Sequence, residues 1–135
     1  GAMGITLSPV RYSSDNNFAG PIENINSTKH ERNKFIAATS SESSLLYEAS
    51  TLNQVDSNLE INSVFVGHMS TLLPNSGITD SYSLVKSGET VYEGPASSFT
   101  SSTQGKLHKI ENNPVTGSKW TESDINNSEF GVRFK

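Results

Sequence analysis

The chain has 135 residues, a formal charge of −4 at pH 7, 33% hydrophobic and 18% charged positions, and no cysteine. That is the length of one ordinary domain. The missing cysteine removes disulfides, thiolate metal sites and a cysteine nucleophile, and the acidic balance argues against a nucleic-acid binder that must neutralise phosphates. No run approaches the roughly 18 apolar residues of a membrane-spanning helix. Ser, Thr and Asn fill about a third of the chain.

Taken in order, Gly1-Ala2-Met3-Gly4 reads as an expression-tag remnant left by a protease and stands outside the fold argument. Residues 5–30 carry few apolar positions (Val10, Phe18, Ile22, Ile25) and read as an N-terminal arm or edge strand. Residues 31–135 read as one β-sandwich domain, because apolar runs are short and separated by Ser, Asn, Gly and Pro clusters. Helical spacing is almost absent. The expected strands are 34–38, 45–50, 60–68, 81–85, 90–93, 106–111 and 129–134, with a weaker one at 22–26.

Within 60–68, Val64 and Val66 share one face while Ser63, Phe65 and Gly67 share the other, so one face should be buried and the second partly covered. Tyr82 and Leu84 alternate with Ser81 and Ser83, as in a half-solvated strand. Ser87-Gly88 should form a two-residue hairpin loop, with glycine supplying a positive φ. The polar stretches 40–44, 70–80 and 97–105 read as loops.

Asn113 to Ile125 is the most ordered stretch of sequence logic. Pro114 and Gly117 are spaced for a tight turn. Thr121 is an N-cap and Asp124, three residues on, completes a capping box; Trp120 and Ile125 have the spacing of a hydrophobic staple. Glu122 and Asp124 suit the positive end of a helix dipole. A short helix should therefore span 121–128, followed by a strand with Phe130, Val132 and Phe134 inward and Arg133 and Lys135 outward.

The order N-P-x-T-G-x-x-W-T-x-x-D-I-N-x-x-E-F-G-V, Asn113 to Val132, resembles the closing stretch of a small jelly-roll-like β-sandwich domain. Such domains recur in virion structural proteins of tailed bacteriophages and related viruses. Upstream counterparts are a strand with an aromatic (Phe35, Tyr47), the I-x-S-V-x-V of Ile61 to Val66, and the S-x-S-L-V of Ser81 to Val85. The resemblance spans about residues 30–135. It implies an all-β, two-sheet antiparallel sandwich of jelly-roll type. The implied setting is the virion, as a tail, fibre or capsid-decoration component that packs against other virion proteins, a homotrimer included.

No catalytic constellation accompanies it, so the chain reads as non-enzymatic. His30, His68 and His108 lack metal-site spacing, and no nucleophile elbow, P-loop or dinucleotide fingerprint occurs. Serine abundance makes a Ser–His–Asp triad uninformative. Glu89 and Glu93 read as solvated carboxylates. No cofactor is expected, although Asp15-Asn16-Asn17 and Glu122-Ser123-Asp124 offer oxygens for a structural calcium, without EF-hand spacing. The sequons at Asn26 and Asn126 are expected by chance in so Asn- and Ser-rich a chain. The alternative function is a carbohydrate- or receptor-binding module for host attachment, using Tyr82, Tyr92 or Trp120 to stack on a host-surface glycan. A packing protein should show an apolar patch or an ordered arm; a sugar binder should show a groove with an exposed ring.

Overall fold

A computed structural model of the chain describes residues 7, 9–14, 18–19, 37–38, 42–49, 51–52, 60–71, 77–98 and 104–135. Among the described residues nine strands and one helix follow in order: β1 (Pro9–Ser14), β2 (Phe18–Ala19), β3 (Ala37–Ala38), β4 (Ser43–Ala49), β5 (Val64–Ser70), β6 (Asp80–Ser87), β7 (Thr90–Ser98), β8 (Gln104–Ile110), α1 (Glu122–Asn126) and β9 (Glu129–Phe134). The fold is all-β and antiparallel, as the punctuated apolar runs require. A five-stranded sheet has the order β1-β4-β9-β6-β7, β5 pairs with β8, and β2 pairs with β3. The expected strand at 22–26, the tag remnant, Asp15-Asn16-Asn17, Asn26 and His30 lie outside the described residues.

Two differences from expectation have local causes. β7 continues to Ser98 instead of stopping at Glu93. Gly94-Pro95, which reads as a stop, is taken up as a bulge opposite Ser83, since the register steps from Tyr82↔Ala96 to Leu84↔Glu93. A proline is tolerated there because β7 is an edge strand and has no outer neighbour to donate to. The hairpin loop is Gly88-Glu89, one residue later than expected, because Ser87 pairs with Thr90. Gly88 takes the first loop position with φ 60°, as a primed turn demands.

Register sorts the two faces of the large sheet. Ser43, Leu45 and Tyr47 of β4 stand beside Phe134, Val132 and Phe130 of β9, which stand beside Ser81, Ser83 and Val85 of β6. This inner face meets the β5–β8 ribbon. Its core is Leu52, Val66, Val85, Trp120, Ile125 and Phe130, with Tyr92, Ile61, Val64 and Ile110 packed against it. The inward set of β9 is therefore as its alternation predicts. On the opposite face, an ideal Cβ on Gly131 would lie 1.8 Å from the Leu45 carbonyl oxygen, so only glycine fits where β9 crosses β4.

The corner between β8 and β9 forms as its sequence dictates. Gly117, at φ 73°, donates its N–H to the Asn113 carbonyl at 2.8 Å, and the buried Asn113 Oδ1 accepts the Val115 N–H. Thr121 caps α1: its hydroxyl accepts the Asp124 N–H, and the Asp124 carboxylate accepts the Thr121 N–H, each at 3.1 Å. Trp120 and Ile125 flank the cap inside the same core. Asn126 then ties the helix to residue 52, accepting the Leu52 N–H and donating to its carbonyl.

Candidate functional site

The three expected ligand-stacking rings do not form one platform. Trp120 is 3% exposed and donates its indole N–H to the Ile110 carbonyl at 3.0 Å. It leans on Phe130 at 5.7 Å between ring centroids. The ring is core, and neither face is open to a sugar. Tyr92 lies on the inner side of β7 opposite Val85 and packs against that core. Tyr82 sits on the outer side of β6 opposite Arg133, with the Lys135 ammonium 4.7 Å above its ring. Tyr82 and Tyr92 thus point to opposite sides of the sheet.

Around Tyr82 the outer face carries a charge cluster. Arg133 donates to Glu93 at 2.6 Å and to Ser44, and Lys135 lies 3.1 Å from the other Glu93 oxygen. Desolvation alone would raise the Glu93 pKa, but the hydrogen bonds from Arg133 and Lys135 outweigh it and hold it below the usual carboxylate value. Glu93 is therefore a solvated carboxylate, as expected, and it is paired with two cations on the sheet surface. Asp124 is likewise below its ordinary value: burial raises it, and hydrogen bonds from Thr121 and Asn113 prevail. One oxygen of the Glu122-Ser123-Asp124 run is thus committed to the helix cap. Among the described residues no three His, Asp or Glu side chains come together to hold a metal ion, and no helix is long and apolar enough to cross a membrane.

Two features stand out that the sequence reading did not assemble. The first is polar and interior. His68 of β5 and His108 of β8 both aim Nε2 at the hydroxyl of Ser81 on β6, at 3.3 and 3.2 Å. His68 Nδ1 also meets the Ser70 hydroxyl. The imidazoles stack at 5.5 Å, and the edge of the Phe134 ring closes on His68. Burial, then His108, then Lys106 push the His68 pKa down from 6.5 to about 4; burial and Lys106 also lower His108. Ser81 is fully buried, so its hydroxyl is a bridge between rings and not an accessible nucleophile.

The second feature is apolar and exterior. The outward side of the ribbon carries Phe65, Gly67 and Met69 on β5, facing Lys109, Leu107 and Gly105 on β8. Phe65 is 54% exposed, Met69 52% and Leu107 75%. The expectation that this second face of β5 is partly covered is thus corrected. Alternation tells which residues share a face, but not whether anything lies over it. Leu107 and Met69 close over the two glycines opposite them: a Cβ on Gly67 would meet the Leu107 methyl at 2.9 Å, and one on Gly105 the Met69 sulfur at 3.1 Å. Among the described residues the result is an exposed apolar face with Lys109 opposite Phe65. Against known proteins, the chain matches no family model, no curated protein and no solved structure.

Proposed function

We propose that this chain is a non-enzymatic structural protein of a virion, a tail, fibre or capsid-decoration component that works by packing against neighbouring protein subunits. The supporting observation is the outer face of the ribbon, where Phe65, Met69 and Leu107 gather on one exposed surface. Three large apolar side chains kept together in water are what a subunit contact uses. The sequence pattern from Asn113 to Val132 supports the viral setting and the jelly-roll winding. The burial of Trp120 and the opposed directions of Tyr82 and Tyr92 weigh against host attachment through a stacked glycan.

The test is assembly. Light scattering and sedimentation of the chain should report a homo-oligomer, a trimer included, and Leu107→Ser with Phe65→Ser should return it to monomers without loss of fold. A monomer at every concentration, together with glycan-array binding abolished by Tyr82→Ala or Tyr92→Ala, would replace this reading with the sugar-binding one.

A further inference from the structure

The inner surface of the sandwich is unlike itself at its two ends. Around Trp120 it is built from Leu52, Val66, Val85, Ile125 and Phe130, with Tyr47 and Tyr92 packed against them and no histidine or carboxylate in the set. At the other end, the row Ser43, Phe134 and Ser81 faces the paired imidazoles. That second end contains a hydrogen-bond chain whose protons can be counted. The chain runs Ser70, His68, Ser81, His108 and has three links. Two neutral imidazoles fill every link with one proton: either ring can donate to Ser81 while the other accepts from it. One extra proton is tolerated, because a charged His68 donates to both serines and Ser81 still donates to His108. A second proton is not. Both Nε2–H groups would then point at the same oxygen, and the Ser81 hydroxyl would lose its acceptor in a fully buried position.

Charge adds to this count. Two cations would stack at 5.5 Å, with Lys106 of β8 acting on both rings in the same sense. The groups facing them from the large sheet are Ser81 of β6, Phe134 of β9, Ser43 of β4 and, opposite Ser81, Ser97 of β7. Among the described residues on these strand positions none is a carboxylate. Asp80 accepts the Thr79 hydroxyl from the strand position next to Ser81. Arg133, Lys135 and Glu93 are joined on the outer face, and Glu42 is exposed just before β4.

We propose that Ser81 with His68 and His108 is an acid-released catch: neutral imidazoles fasten the β5–β8 ribbon to the large sheet, and their double protonation frees that end while the Trp120 end stays closed. The catch does not depend on the virion reading. It gives the molecule two shapes set by the acidity around it, with Ser81, fully buried in the closed one, uncovered only in the acid form.

Proton NMR on the wild-type chain tests this directly. Between pH 7.5 and 4.5 the cross-relaxation between the Phe134 and His68 rings should vanish while that between Trp120 and Phe130 persists. The ratio of opened to closed ribbon should rise as pH falls from 6.5 to 4, most steeply where the second imidazole takes its proton. A chain carrying His68→Gln and His108→Gln should keep only the small acid loss that Glu93 and Asp124 cause, and so lose much less stability than the wild type over that range. The proposal is overturned if both imidazoles titrate at their ordinary value with the Phe134 contact intact at pH 4.5. It is equally overturned if wild type and double variant lose stability in parallel. Should the variant not fold, the wild-type titration decides alone.

Discussion

The two ends of the inner layer are built from the same strands yet held by different physics. At one end Trp120, Phe130, Val85, Val66 and Ile125 exclude water, and the polar atom they bury, the indole N–H, has a carbonyl partner. At the other, Ser81, His68 and His108 hold the sheets together by direction and proton count. Hydrophobic burial does not respond to mild acid; the imidazole bridge does. The difference shows that a small sandwich can give its two ends separate sensitivities without changing its backbone.

Substitutions should separate the ends. Trp120→Ala should cost the most, about 3–5 kcal/mol in urea unfolding, because it opens a cavity and frees the Ile110 carbonyl. Acid comes next, and its largest action is at the polar end. His68 has a folded pKa of about 4 against 6.5 unfolded. Its contribution is therefore complete above pH 6.5 and is lost as pH falls toward 4, a change of no more than about 3 kcal/mol that a pH series of unfolding curves would read. Ser81→Ala should cost about 1–3 kcal/mol by leaving two imidazole nitrogens unbridged, and should change the pH profile, which Trp120→Ala should leave alone. Thr121→Ala should cost about 1 kcal/mol through the lost cap. Smallest of all, Leu107→Ser should shift monomer stability by within about 0.5 kcal/mol, since the side chain is already 75% exposed.

What the sequence made legible was local. The strand 129–134, the turn at Gly117, the Thr121–Asp124 box and the inward Phe130, Val132 and Phe134 each depend on neighbours a few residues apart. Of the first 30 residues the structure describes β1, which pairs with β4, and the two residues of β2. The limits of β7 were harder to read, because Gly94-Pro95 ends a central strand but bulges an edge one. The histidine bridge was out of reach for a different reason. Alternation from Val64 and Val66 places His68 on the buried face, but nothing local says that Ser81 and His108 will meet it there. Exposure of Phe65 and Leu107 was hidden likewise, since large apolar residues on a strand are read as covered until the tertiary structure leaves them bare.

The place of β9 between β4 and β6 carries a consequence for synthesis. During translation, β1–β4 and β6–β7 can each form as they leave the ribosome, but among the described strands it is β9, residues 129–134, that pairs with both β4 and β6. Until β9 emerges each pair shows a bare flank to its surroundings. When the late strand arrives it must slide in where Gly131 leaves no room for a methyl group. A single Gly131→Ala change would therefore stall assembly at its last step, and the nascent product would accumulate as two unjoined halves.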